Sequence, residues 1–304
     1  MIRWGLCCQF VDAPITFRTA THRYVASLES PVARGYLGDI AAHNADALAA
    51  AIERCHELGI GAFRVNSQIL PLATHPITGY NLEQLDPTGA IAGAFEYAGA
   101  LARAYDVRLS LHPDQFVVLN SERSAVVRSA VQELELQATV AEMIGADVIV
   151  LHAGGAAGGT QSALERLERG LPLLSTRVRD RLALENDDRS FTPRSLLPWC
   201  QRAGVPLVYD VHHHRCLADG LSIEEATELA AGTWNGREPW CHISSPRDSW
   251  NAPNARSHAD YIDPADFPDE WVGRRMTVDV EAKAKERAVL AIKEVVASQL
   301  VASR

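Results

Sequence analysis

Short runs of apolar and β-branched residues alternate along the chain with longer segments whose apolar residues recur at helical spacing. The runs predict eight strands, over residues 2–8, 60–66, 107–112, 148–152, 181–186, 206–211, 240–244 and 276–281. In the intervening segments apolar residues recur every three or four positions, as at Leu48, Ile52 and Cys55, which is typical of helices packed on a sheet. The alternation predicts an α/β protein, a (β/α)8 TIM barrel forming a single domain over residues 1–304.

Three connections are longer than those usual in such a barrel, covering residues 11–39, 66–88 and 245–273. Loops that follow the carboxyl ends of barrel strands carry the binding and catalytic residues of this architecture. We therefore expect these three segments to form the walls of a cleft, with the active site at the C-terminal face of the strands.

Composition narrows the functional classes only partly. With 47% hydrophobic and 22% charged residues, the chain is typical of a soluble globular protein, and we expect a cytoplasmic one because it has no signal-peptide pattern. Six cysteines without a C-x-x-C pair predict reduced thiols and no thiolate metal site. The net charge of -9 argues against nucleic-acid binding by overall charge, although local basic surface or bound cations remain compatible with it.

Candidate metal ligands recur at the ends of the predicted strands. Five strands end in an imidazole or a carboxylate, a sixth contains a histidine, and further histidines follow in the loops. The candidates are His75, His112, His152, Glu185, Asp210, His213, His242, His258 and Glu281. All strand carboxyl ends of a barrel point to one face, so these side chains are expected to converge there.

So many acidic groups in one place would repel each other and would be costly to desolvate without a cation. Any one of them alone is more often an ordinary polar residue, but the set favours a multinuclear metal site. Imidazole and carboxylate without thiolate suit Mn²⁺, Zn²⁺ or Co²⁺, and the number of ligands indicates two or three ions. Manganese is the first expectation.

Motifs along nearly the whole chain carry a family resemblance. They are RVNSQILPLATHP, LSLHPDQF, VLH, LALEND, YDVHHH, HISSPR, SHADYI and VEAKAKE, in that order. In this combination the chain resembles the UV damage endonuclease family, which is related in fold and metal cluster to the endonuclease IV-type nucleases.

The resemblance implies roles for the candidate ligands. Glu185 would bridge two ions, with His112 and His152 completing one site. The other site would be completed by Asp210, His242 and Glu281, and a third ion would lie between His213 and His258. Spacing from Asp210 favours His213 over its neighbours His212 and His214. Glu185 would also be catalytic, together with Lys283, which lies just beyond Glu281.

The resemblance also implies DNA contacts. Gln115 and Phe116 match the pair that probes the duplex after the damaged dinucleotide is flipped out, and an aromatic ring can stack where a base has left. Arg64 and Ser67 are expected near the phosphates. Five positions depart from the family. Leu6 and Phe10 stand where lesion-contacting residues are usual, Asp114 replaces a small residue, Phe116 replaces a tyrosine, and Trp240 replaces a lysine that is modified in the family. Leu6, Phe10 and Trp240 are themselves taken as candidate DNA contacts.

The leading hypothesis is a metal-dependent DNA repair endonuclease that hydrolyses the phosphodiester 5′ of UV photoproducts. Its partner would be UV-damaged double-stranded DNA. We expect no membrane association, and we expect the protein to act as a monomer. One alternative is a metal-dependent sugar or sugar-acid isomerase or epimerase built on a similar barrel. Another is a lesion-binding protein that keeps the metal cluster for structure alone.

Overall fold

The fold is a closed barrel of eight parallel strands, seen in a computed structural model that describes residues 1–302. Each strand pairs with its neighbour in sequence, and the last pairs with the first. The strands are β1 (Ile2–Cys7), β2 (Ala62–Val65), β3 (Arg108–Leu111), β4 (Val148–His152), β5 (Leu182–Glu185), β6 (Leu207–Asp210), β7 (Trp240–Ile243) and β8 (Met276–Val280). The predicted TIM barrel and all eight strands are confirmed.

Helices fill the segments between the strands and after the last one. They are α1 (His22–Val25), α2 (Ser30–Glu57), α3 (Leu82–Leu85), α4 (Ala90–Ala104), α5 (Ser124–Ile144), α6 (Thr160–Gly170), α7 (Thr176–Arg179), α8 (Pro193–Ala203), α9 (Val211–Cys216), α10 (Ile223–Gly232) and α11 (Glu286–Ala302). No described helix has the length and apolar character needed to cross a bilayer. All six cysteines are free thiols, as expected.

The first long connection is shorter than predicted. Helix α2 already begins at Ser30, with Pro31 in its first turn, where a missing N–H costs nothing. Gly35 and Gly38 lie within this helix and weaken its helical signal in the sequence. The loop therefore ends at Glu29, and the prediction of a loop up to residue 39 is wrong.

Successive side chains of each strand point alternately into the barrel and out toward the helices, so the strand residues form an inner and an outer set. One set, which includes Ala62, Val148, Val150, Val208 and Trp240, forms a small apolar cluster inside the barrel. The larger apolar core lies between the strands and the surrounding helices. Because neighbouring side chains of a strand point to opposite faces, a residue's parity decides whether it can reach the barrel mouth.

Candidate metal centre

The strand register brings the predicted ligands together in pairs. On β4 and β5, His152 lies opposite Glu185, and on β6 and β7, Asp210 lies opposite His242. The amide of Glu281 donates to Ile243 O at 2.9 Å, which places Glu281 beside the end of β7. The parallel register thus places side chains from distant parts of the chain at the same end of the barrel.

Glu185 lies at the centre of this cluster and is almost completely buried. Its Oε2 atom is 2.8 Å from His112 Nε2 and 3.7 Å from His152 Nε2. Its Oε1 atom is 3.0 Å from His242 Nδ1 and 3.3 Å from His213 Nδ1. The two carboxylate oxygens therefore face two different groups of imidazoles.

Two overlapping groups of side chains have ligand atoms close enough to share an ion. The first is His112, His152 and Glu185, and the second is Glu185, Asp210, His242 and Glu281; in each, the ligand atoms lie within 4.8 Å of one another. Glu185 belongs to both groups. The division is the same as the one implied by the family resemblance.

Asp210 is held in place by neighbours that leave one of its oxygens without a hydrogen bond. Its backbone N–H donates to Asn186 Oδ1 and its carbonyl accepts from Asn186 Nδ2, at 3.0 and 2.9 Å. Its Oδ1 atom caps α9 by accepting from the His213 amide at 2.7 Å. Its Oδ2 atom is buried without a hydrogen-bond partner.

Burial and neighbouring charges shift the ionisation of the cluster. Burial lowers the pKa of His152 to about 4, so this imidazole is neutral and available as a ligand at pH 7. Burial works to raise the pKa of Glu185, but His242, His152 and the hydrogen bond from His112 outweigh it and hold that pKa well below its ordinary value. Burial raises the pKa of Asp210.

The donor set fits divalent cations. The two groups offer imidazole nitrogens and carboxylate oxygens and contain no cysteine. Asp210 Oδ2 is a buried acceptor without a hydrogen bond, and buried polar atoms of this kind normally have one. Such a combination suits Mn²⁺, Zn²⁺ or Co²⁺.

The three successive histidines after Asp210 have different surroundings. His214 is engaged through both nitrogens, by Tyr209 Oη at 2.7 Å and Asp219 Oδ1 at 3.0 Å. His213 points its Nδ1 at Asn186 O, at 2.9 Å, beside Glu185. His212 is fully buried, with its ring centroid 5.2 Å from that of His258. Among the three, His213 is the one that contacts both Glu185 and Asp210.

His258 reaches the edge of the cluster, whereas His75 does not join it. The Nδ1 atom of His258 is 3.7 Å from Glu281 Oε2. His75 stacks on His22 with ring centroids 4.1 Å apart, and its Nδ1 accepts from the amides of Ile77 and Thr78. The structure therefore corrects the expectation for His75, because its Nδ1 accepts hydrogen bonds from its own loop and its ring stacks on His22.

A cavity of about 870 Å³ opens over the cluster. Its lining includes Arg64, Ser67, Gln115 and Phe116 from the predicted DNA-contacting set. Phe116 is 79% exposed, which is unusual for a large aromatic side chain. Gly154 and Gly155 line the cavity without side chains.

The structure corrects the interpretation of Leu6, Phe10 and Trp240 as DNA contacts. Leu6 is fully buried in the core between the strands and the helices, and Phe10 packs on Phe63 with ring centroids 6.0 Å apart. Trp240 is fully buried inside the barrel, and its ring centroid lies 4.5 Å from the guanidinium carbon of Arg108. Residues buried in this way cannot touch a duplex.

Arg64 is also placed differently from the expectation. It points into the barrel and is buried, with its guanidinium 2.7 Å from Glu281 Oε1 and 3.0 Å from Asp279 Oδ2. Arg64 lines the cavity, but its donors are directed at these two carboxylates and at His242 Nε2. Asp279 was missed by sequence analysis, because an acidic residue in the middle of a strand gave no sign of its partner.

Lys283 lies beside the cluster. It is exposed and lines a second cavity, of about 420 Å³, together with His258 and Glu281. Sequence analysis also missed Cys8 and Arg189, which line the main cavity. The left-handed backbone of Cys8, with φ of 64°, and the exposed loop position of Arg189 have no distinctive sequence signal.

Comparison with known proteins gives consistent matches. Residues 2–301 match the family model described as UV-endonuclease UvdE. A UV DNA damage endonuclease of Bacillus velezensis is 35% identical over 248 residues, which cover 78% of this chain and 75% of the relative. The solved structure of SacUVDE has a TM-score of 0.86 at 26% identity and covers 98% of this chain and 99% of that one. Endonuclease IV from Thermus thermophilus shares the fold, with a TM-score of 0.62 at 18% identity over 98% of this chain and 99% of that one.

Proposed function

This chain belongs to the UV-endonuclease UvdE family, and we propose that it hydrolyses the phosphodiester 5′ of UV photoproducts in duplex DNA with the help of divalent ions. It is a DNA repair endonuclease, as its curated relatives are UV DNA damage endonucleases. The observation that carries the mechanism is the sharing of Glu185 between two groups of ligands beneath an open cavity.

The proposed ligands follow from the contacts. Glu185 serves both groups, His112 and His152 complete the first, and Asp210, His242 and Glu281 complete the second. His213 and His258, at the edge of the cluster, are proposed for a third ion. Bound divalent ions, with Mn²⁺ favoured, would supply activation of water and neutralisation of charge at the scissile phosphate.

The protein's own residues position the DNA. Gln115 and Phe116 lie in the loop after β3, exposed beside the cavity, where an amide and a ring can fill the gap left by a flipped dinucleotide. Gly155 lets a sugar-phosphate backbone approach closely, because a Cβ atom at this position would stand in open space. Ser67, Arg189 and Lys283 offer polar and cationic groups to phosphates.

The second candidate, a sugar isomerase or epimerase, has less support. An enzyme of that kind needs an enclosed pocket for a small molecule, whereas this cavity is bordered by a strongly exposed Phe116. We also propose that the protein acts as a monomer, since one chain supplies every ligand of both groups. We propose a cytoplasmic location because its six cysteines are free thiols, which persist in a reducing compartment.

Activity on three substrates distinguishes the endonuclease from the epimerase and from a lesion-binding protein. Metal-loaded protein is given a duplex with one pyrimidine photoproduct, the same duplex without damage, and a free ketohexose. The proposal predicts cutting of the damaged duplex alone. Conversion of the sugar without cutting would favour the epimerase, and tight binding to the lesion without turnover in any metal would favour a lesion-binding protein.

Replacing Phe116 with alanine is expected to slow cleavage of damaged DNA about 10- to 100-fold. Stacking of a base on an aromatic ring contributes about 1–3 kcal/mol, and each 1.4 kcal/mol is about tenfold. Stability should hardly change, because the ring is 79% exposed. The measurement is kcat/KM on the photoproduct duplex together with a thermal melt.

Tyr97→Ala is the matched control for Phe116→Ala. Tyr97 is 59% exposed on α4 and is not among the residues that line the cavity. Its loss should leave both cleavage and stability unchanged. Equal kcat/KM for Phe116→Ala and the wild type would contradict the proposed contact with DNA.

A further inference from the structure

Arg64 connects two proposed ligands from inside the barrel. One terminal nitrogen, Nη2, lies 2.7 Å from Glu281 Oε1 and 2.9 Å from His242 Nε2. Its Nε donates to Asp279 Oδ2 at 3.0 Å. The planar guanidinium presents its donors in a fixed fork, so it can hold a carboxylate in one orientation.

Asp279 is the buried counter-charge of Arg64. It lies on β8 two residues before Glu281, on the same face of the strand, and is fully buried. Gly5 on β1 provides the space, because a Cβ atom at that position would overlap Asp279 Oδ1. Since β1 separates β2 from β8, this gap allows Arg64 and Asp279 to meet across it.

The pair contacts the side of His242 that faces away from Glu185. Nδ1 of His242 faces Glu185 Oε1 at 3.0 Å and Glu281 Oε1 at 3.4 Å, whereas Nε2 is 3.8 Å from Asp279 Oδ2. His242 Nε2 accepts a hydrogen bond from Arg64 Nη2 at 2.9 Å, and Arg64 in turn is held by Asp279. The pair therefore lies against the edge of the ring that faces away from Glu185, where partners of this kind orient ligating histidines.

We propose that Arg64 and Asp279 form a positioning pair, which holds His242 and Glu281 in the orientation needed to bind a cation and makes no contact with DNA. This inference rests on the proposed function, since it concerns the same cluster. Arg64 keeps the buried Asp279 charge paired and contacts both Glu281 Oε1 and His242 Nε2, while Asp279 holds the guanidinium that makes these two contacts. Neither residue needs to touch the substrate.

The test is calorimetric titration of metal-stripped protein with Mn²⁺. Asp279→Asn keeps the shape of the side chain but removes its charge, and Arg64→Lys keeps the charge but loses the fork. Each is expected to weaken one class of bound Mn²⁺ about 10- to 100-fold, the usual effect of removing such a partner. Ions held by His112, His152 and Glu185 should be affected less.

A second readout separates positioning from DNA contact. Binding of a photoproduct duplex in chelator should be unchanged in both variants, whereas loss of a phosphate contact would weaken it. The matched control is the Arg108–Asp147 pair, 2.8 Å apart, whose arginine lies beside Trp240 at the far end of the barrel interior. Asp147→Asn and Arg108→Lys should leave Mn²⁺ affinity unchanged.

The measurements distinguish failure of the proposed function from failure of the positioning pair alone. Wild-type protein that neither binds Mn²⁺ nor cuts damaged DNA would overturn the proposed function itself. Wild-type protein that binds and cuts, with unchanged Mn²⁺ affinity in a folded Asp279→Asn variant, would overturn only the positioning pair. If Arg64→Lys fails to fold in thermal melts, the combined Arg64→Met and Asp279→Leu variant removes both charges, and the same loss of Mn²⁺ affinity is expected from it.

Discussion

Glu185→Gln is expected to reduce cleavage of damaged DNA by about 10³-fold, the upper range for removing one electrostatic stabiliser from an active site. The carboxylate belongs to both groups of ligands, so its loss weakens both at once. Glutamine has the same shape and keeps one acceptor oxygen for His112 or His242. The barrel should therefore still fold.

The measurement is single-turnover cleavage at several Mn²⁺ concentrations, together with the number of Mn²⁺ ions bound and a thermal melt. Glu135→Gln is the matched control, because Glu135 is held by Ser175 and Arg177 away from the cluster. That variant should cut like the wild type. Wild-type cleavage by Glu185→Gln at low Mn²⁺ would contradict the shared role of Glu185.

Removing divalent ions with a chelator is expected to abolish cleavage and to lower the free energy of unfolding. An ion that binds only the folded state contributes about 2.7 kcal/mol when its concentration is 100 times the dissociation constant. Mn²⁺ should restore both cleavage and stability. Buried carboxylates such as Asp210 and Glu185 provide the physical reason, since a cation offsets their mutual repulsion.

Thermal melts with chelator, with Mn²⁺ and with Mg²⁺ measure the stability change, and cleavage is followed in the same buffers. Glu185→Gln supplies the control, because its melting temperature should respond much less to Mn²⁺. Full activity in excess chelator, with no change in melting temperature, would contradict metal dependence.

The barrel and the ligand cluster were predictable because the relevant signals are local. A histidine or acid that ends a short apolar run, as His152 and Glu185 do, marks the carboxyl end of a strand. The topology then brings all such ends to one face. No knowledge of long-range contacts was needed for that step.

The inner residues were not predictable in the same way. Barrel strands are buried on both faces, so an apolar run does not reveal which parity points inward. Leu6 was therefore misplaced, although its neighbour Gly5 is the residue that faces Asp279. Arg64 and Asp279 are 215 positions apart, and only closure of the barrel between β8 and β1 brings them together.

Loop residues were predicted with mixed success for a related reason. Phe116 is exposed beside the cavity as expected, because it lies close to the carboxyl end of β3, which ends at Leu111. His75 lies in a longer connection that folds on itself, with His22 stacked on its ring. The path of such a loop depends on contacts that a sequence motif does not encode.

The position of the cut tests the proposed function most directly. A duplex with a single defined pyrimidine photoproduct, labelled in turn at each end of the damaged strand, is incubated with metal-stripped protein and added Mn²⁺. The proposed function predicts one nick immediately 5′ of the lesion, dependent on Mn²⁺ and lost in Glu185→Gln. No nick, or a nick at the same rate in the undamaged duplex, would contradict it.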